Sequence, residues 1–442
     1  MTTFLPEPHL LDSVRGRDWP HYPRLRHAPA GRPPTHADVV IVGAGPAGLA
    51  LASALWHLDV PDVVLLDAQG VPMRRFFARV DGLSQRVLRS PYDHHPGVEG
   101  YRDCELLDFA RLHWALLSEV ERREIRMSQA GHRSVVPVDV FEAFCDHVAT
   151  VHQVHRRTWP ATVDEVCPDP AGVVVRTTDG TSITARFAAL CLGEERRPVP
   201  ADWWHGTPVD HVGYWDQPVP ADAASVTVIG AGLTAAHLVT KAIDDGRHVH
   251  WVLRAEQERY QCSDVNASFF RAEGRARFDG GVSWDDRLGL MHRERRASVM
   301  FEFRPLLRAA EENGRLTVHR GREVTGIAQG DGHVPVAVLL ADGTRVRGDH
   351  VVLALGTTPS TGTGLLPAGL VGGGDGWPDL DERTLAYRRA PRVFAVGAAA
   401  GMVLGPAARN IDGHRVATAR VAATIAARLT DDRVFGEESG YA

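Results

Sequence analysis

A chain of 442 residues exceeds what one hydrophobic core supports, so at least two domains are expected, and a formal net charge of -6 argues against a nucleic-acid partner. With 44% hydrophobic and 24% charged residues, the composition is that of an ordinary folded α/β protein, neither disordered nor fibrous. Lys241 is the only lysine, which argues against Schiff-base chemistry; Cys104, Cys145, Cys167, Cys191 and Cys262 form no C-x-x-C pair, which fits a reducing, cytoplasmic setting and removes a redox dithiol and the usual zinc spacings.

Residues 1–37, rich in Pro, His and Arg without periodicity, read as an extended arm on the surface. The run ADVVIVGAGPAGLALASALWHL is apolar enough for a membrane span. Its glycines instead mark a strand, a tight turn and a helix, and it starts too far from Met1 for a secretory signal, so no membrane is expected. Gly43 permits the turn, Gly45 with Pro46 and Ala47 lets the backbone approach a pyrophosphate at the helix N-terminus, and Gly48 brings helix and strand together. Asp67 ends the next strand, VVLLD, at the fingerprint distance for a ribose.

The segment RRFFARVDGLSQRVLRSPYDHHPG, residues 74–97, reads as a loop-rich insertion. In it Arg89 suits a carboxylate and Asp93 an ammonium group, unless the two pair with each other. His94 and His95 lack a carboxylate-histidine spacing, so no metal site is expected. Residues 151–193 alternate as strands around DPAG and DG turns and close in ALCLG at Gly193. The stretch from Trp204 to Gln217, WHGTPVDHVGYWDQ, gathers aromatics, histidines, turn formers and acids in a pattern that core packing does not require.

A second fingerprint follows, with Gly230, Gly232 and Ala235 in the three positions and Thr234 between them. Its next strand, HVHWVL, leads to Arg254, where a guanidinium fork favours a 2′-phosphate and hence NADPH over NADH; a solvated strand end is the alternative. The passage ending in VLALG at Gly356 mirrors the close of the first unit. After Pro391 come a strand, a glycine-rich loop holding Gly405 and Asn410, and a helix from about Asp412. The fold expected is α/β with two Rossmann-like dinucleotide-binding domains. Residues 1–37 form an extension, 38–205 and 350–442 a discontinuous first domain, 206–221 a linker and 222–349 the second domain.

GAGPAGLA followed by GAGLTAA resembles the two-dinucleotide-binding flavoproteins. That resemblance implies FAD in the first domain, with Gly405 and Asn410 near the pyrimidine end of the flavin, and NADPH in the second. Trp204, Gly206, His211, Trp215 and Asp216 resemble the signature of the class B flavin monooxygenases, the H-x-x-x-W-D half being most similar to the Baeyer-Villiger branch. Asp349, Leu353, Ala354 and Gly356 resemble the D-x-x-x-L-A-T-G segment of the N-hydroxylating branch, and YQCSDVNASFF is similar to its acidic-Asn-Phe stretch. The chain departs from these patterns at Leu355 for threonine, Thr357 for tyrosine, His237 for an acid, and in one extra residue between Gly206 and His211.

The resemblance implies reduction of FAD by NADPH, addition of molecular oxygen at C4a, and a C4a-hydroperoxyflavin that hydroxylates nitrogen of a small amine or amino acid in specialised metabolism. Baeyer-Villiger or sulfur oxidation and a flavoprotein reductase are the alternatives. It implies Asp264 and Asn266 at the nicotinamide and substrate, Phe270, Arg89 and Asp93 around the substrate, and His211 as a gate rather than a proton-transfer catalyst. A homo-oligomer stays open.

Overall fold

The computed structural model describes residues 8–19, 28, 31–204, 209–261, 269–281, 283–330 and 334–438. Strand His36–Val42 lies inside the first sheet, Ile41 pairing parallel with Leu65 on one side and Ala189 on the other. A strand covered on both faces requires consecutive apolar residues, which VVIV supplies. The parallel order is Ala390–Ala395, Ser182–Leu190, His36–Val42, Val63–Asp67, Thr158–Pro160, with Ala386–Tyr387 antiparallel at one end. Strand Val173–Thr177 pairs antiparallel with Ser182–Leu190, and Val163–Pro168 pairs antiparallel with Val173–Thr177 in turn.

The second sheet is wholly parallel, in the order Val212–Tyr214, His350–Leu353, Ser225–Ile229, His248–Val252, Leu316–His319. Two boundaries expected from sequence therefore shift. His350–Leu353 pairs inside the second sheet, so the return to the first comes after Gly356 rather than at residue 350. The stretch 206–221 is not a plain linker, because Val212–Tyr214 is an edge strand of the second sheet.

The chain crosses between the sheets at Glu194–Arg196 and returns at Thr357–Pro359, and these two crossings hydrogen-bond to each other as an antiparallel ribbon. Leu83, Val87 and Val135 of the first unit share one apolar cluster with Val228, Trp251 and Phe303 of the second. Arg133 reinforces this contact with a two-pronged ion pair to buried Glu302 at 2.5 and 3.1 Å, and Lys241 donates to the Gly82 carbonyl at 2.8 Å.

Part of the arm expected on the surface is buried instead. Leu10 is 3% exposed within the shared cluster, and Trp19, 5% exposed, enters the first core and donates to Asp139 at 3.1 Å. Arg17 adds a bidentate pair to Glu121 at 2.9 Å. Burying the indole removes about 150–250 Å² from water, at roughly 25 cal/mol per Å², and this, with buried Leu10 and the Arg17 ion pair, offsets part of the entropy of ordering the arm. Residues 74–97 are also more regular than expected: Arg74–Gly82 is a helix and Val87–Leu88 pairs with Val136–Pro137.

Candidate functional site

The first glycine turn leaves helix Pro46–His57 without a side-chain cap, so its first N–H groups face outward. Gly43 has φ +100 and passes so close to the next strand that a Cβ there would meet the Cys191 carbonyl at 2.5 Å. At Gly45 a Cβ would meet nothing within 4 Å, which leaves room for a pyrophosphate. Asp67 accepts from Ala44 N–H at 3.0 Å and Gln69 N–H at 2.9 Å, fixing the turn. A carboxylate offers about four acceptor sites, so it retains capacity for ribose hydroxyls. Open turn, uncapped helix and acid together fit FAD.

The second turn repeats the construction. A Cβ on Gly230 would lie 2.3 Å from the Ala354 carbonyl, Gly232 caps helix Leu233–Asp244 without a side-chain hydrogen bond, and Ala235 is buried. Gly230, Gly232 and Thr234 line a cavity of about 1830 Å³. Arg254 stands exposed on the same cavity wall. Gly356, Asn410, Arg89 and Asp93 line it from the other unit and the crossings, so one space joins the second nucleotide turn to the first domain's loops. Gly193 lies one residue from the wall and accepts from Ser360 N–H at 3.1 Å.

Sequence reasoning missed the polar hub of this cavity. Glu194 accepts from Arg295 at 2.8 Å, from Arg409 at 2.8 Å and from Thr357 Oγ1 at 2.9 Å. Burial and the neighbouring Arg409 cation lower the Arg295 guanidinium to about 10, against the pull of Glu194. The signal available was the acid directly after ALCLG; nothing local linked it to arginines 101 and 215 residues away.

The other expected residues divide. Asn410 caps helix Ile411–Glu438, one residue before the expected start, and faces the cavity. Arg89 does not pair with Asp93; it reaches across to Ser298 Oγ at 2.8 Å. His94 lies 3.8 Å from Asp412, while His95 turns inward to Glu105 at 2.9 Å, so the adjacent histidines diverge. Gly405 sits against Phe269 and Phe278 instead of on the cavity wall, and Phe270 packs between two apolar clusters. Asp264 and Asn266 lie outside the described residues.

His211 is not brought to the cavity wall. Its carbonyl accepts from Val351 N–H at 2.9 Å at the amino-terminal end of the edge strand, whereas dinucleotide sites occupy the carboxyl ends. Trp215 and Asp216 end that strand at the domain boundary, where Arg79 lies 5.2 Å over the indole and Arg196 pairs with Asp216 at 2.6 Å. His237, in place of the family's acid, is buried edge-on against Phe303, and burial lowers its pKa to about 3.

Two phosphate cradles, the second opening onto a cavity that also reaches loops of the first unit, define a flavoprotein that binds FAD and NAD(P). The chain belongs to the pyridine nucleotide-disulphide oxidoreductase family, which matches residues 37–274. An FAD-NAD(P)-binding family matches residues 300–358. No curated protein matches the sequence. Among solved structures, the ornithine N-hydroxylase of Kutzneria sp. 744, with reduced FAD, NADP+ and L-ornithine, is similar at 18% identity and TM-score 0.69, over 89% of this chain and 99% of that one. The reduced ornithine hydroxylase of Pseudomonas aeruginosa is similar at 17% identity and TM-score 0.69, over 89% and 99%. The cadaverine monooxygenase of desferrioxamine biosynthesis from Erwinia amylovora, bound to FAD, follows at 16% and 0.68, over 89% and 95%. At such identities the likeness is one of fold.

Proposed function

We propose that the protein is an FAD- and NADPH-dependent monooxygenase that hydroxylates nitrogen of a small amine or amino acid. The observation that carries this reading is the single cavity onto which the second glycine turn, Asn410 and the Arg89–Asp93 segment all open. The fold it shares with ornithine and cadaverine hydroxylases supports the same reaction class. FAD, when bound, would supply the hydride acceptor and the oxygen-activating chemistry of this class.

The chain's own residues supply orientation and dryness. Gly232 and the uncapped helix behind it seat the nucleotide phosphates, and Arg254 takes a 2′-phosphate. The arginine-rich wall, with Arg89 among it, suits a substrate carboxylate, which favours an amino acid over a simple diamine. An alkylamine, with a solution pKa of about 10, must bind neutral or lose its proton there; Asp93, on the same wall, is the acid placed to receive an ammonium group.

A second reading, oxygen insertion beside a carbonyl or at sulfur, is favoured by Arg295 and Arg409, cations that face the same space and would stabilise an anionic oxidant. Rapid-scan absorbance of the NADPH-reduced protein mixed with oxygen separates the readings. A transient that decays faster with one amine and yields its hydroxylamine supports the first; acceleration by a ketone or sulfide supports the second. Immediate return to oxidised flavin with no transient would leave a reductase.

A further inference from the structure

We propose that His57, Cys104 and His152 form a zinc site on the first domain, separate from the nucleotide cavity. Cys104 Sγ stands 3.5 Å from His57 Nε2 and 3.3 Å from His152 Nε2, and the three ligand atoms all lie within 4.8 Å of one another. With Zn–S of about 2.3 Å and Zn–N of about 2.0–2.1 Å, tetrahedral coordination sets an S···N edge of about 3.5 Å. Both sulfur-nitrogen edges already match it. The separation between the two imidazoles, within 4.8 Å, must close by up to about 1.5 Å toward the tetrahedral N···N edge of about 3.3 Å.

The surroundings favour a cation. His57 is the last residue of helix Pro46–His57, and His152 is the C-cap of helix Val138–Val151. Two helix carboxyl ends therefore converge on the cluster, each carrying partial negative charge. The backbone positions are firm: Cys104 N–H donates to the Tyr101 carbonyl at 2.8 Å and His152 N–H to the Val148 carbonyl at 3.1 Å. A Cβ on Gly97 would lie 2.0 Å from the Cys104 carbonyl, so that loop packs directly on the ligand's backbone.

The donor set selects the metal. One thiolate and two imidazoles, with no carboxylate among the three, suit zinc and disfavour magnesium or calcium. Cys104 and His152 are buried while His57 is half-buried beside exposed Tyr101, whose ring stacks at 3.9 Å. The fourth position therefore faces solvent and takes a water. The ion would staple the end of the first fingerprint helix to the turn Arg102–Cys104 and to helix Val138–Val151. Helix Pro46–His57 has 12 residues, which puts this end roughly 18 Å from the pyrophosphate end. The test of this site does not depend on the reaction proposed above.

Cobalt reports the site directly. The FAD-loaded protein, stripped with chelator and titrated with Co2+, is expected to bind one ion per chain, with a thiolate-to-cobalt charge-transfer band and intense tetrahedral visible bands, both abolished by one equivalent of Zn2+. Cys104→Ser should lose the charge-transfer band, and His57→Gln should weaken cobalt binding at least tenfold with the flavin spectrum intact. Absence of a thiolate band in the wild-type protein, or equal cobalt affinity in wild type and His57→Gln, overturns the site even if Cys104→Ser does not fold.

Discussion

Glu194→Gln is the most informative single change because it removes a charge without removing volume. The carboxylate faces Arg295 and Arg409, each at 2.8 Å, with side chains only 16%, 14% and 34% exposed respectively. Deleting one partner of a fully buried pair costs about 3–5 kcal/mol, mostly because the remaining charge is stranded. Arg409 keeps some water, which reduces the expected cost to about 2–3 kcal/mol. For a unit of this size that corresponds to a fall in Tm of about 4–10 °C.

The assay follows release of flavin fluorescence on heating in the wild type, Glu194→Gln, Arg295→Met and the double variant. Because Arg295→Met removes one of the stranded cations, the double variant should be less destabilised than the sum of the single changes, with a coupling of about 1–2 kcal/mol. Additive effects, or a Glu194→Gln loss within 0.5 kcal/mol, would refute the view that this carboxylate neutralises the two cations.

Three further outcomes are expected. Gly45→Ala should fold as well as the wild type but release FAD, since its methyl meets no protein atom within 4 Å; Gly48→Ala should fail to fold, its Cβ lying 2.0 Å from the Gly43 carbonyl, and apoprotein yield with added FAD compares them. Arg254→Ala should raise the KM for NADPH by roughly 10–100-fold, the loss of a charged hydrogen bond, and leave that for NADH within a factor of two in steady-state flavin reduction. Burial holds His237 at about 3 in the folded chain against about 6.5 unfolded. A base whose folded pKa is depressed contributes stability above pH 6.5 that is lost as pH falls, so urea unfolding between pH 6 and 4 should weaken by about 1.4 kcal/mol per pH unit from this group, and His237→Gln should flatten the slope by that amount.

Both cradles were readable from sequence because their requirements are local. Turn, open backbone and helix start fall within six residues of Gly43, and the neighbouring strand betrays itself by continuous apolar character. The strand leading to Arg254 and the helix start after Asn410 were readable for the same reason. His211 misled because a linear motif hides direction: at about 3.3 Å per residue, strand Val212–Tyr214 carries Trp215 to the domain boundary and leaves the histidine at the opposite end. The Glu194 hub and the His57, Cys104, His152 cluster escaped because each assembles residues from distant segments, and no spacing rule joins them. The buried arm was unreadable for another reason: Leu10 and Trp19 are isolated apolar residues in a polar stretch, and a single indole has no period.

The ribbon made by Glu194–Arg196 and Thr357–Pro359 has a mechanical consequence. Two antiparallel tethers laced edge to edge resist torsion and sliding far more than a single peptide does. The ribbon thus holds the second unit against twisting relative to the first. The shared apolar cluster of Leu83, Val87, Trp251 and Phe303 adds a second point of attachment between the units.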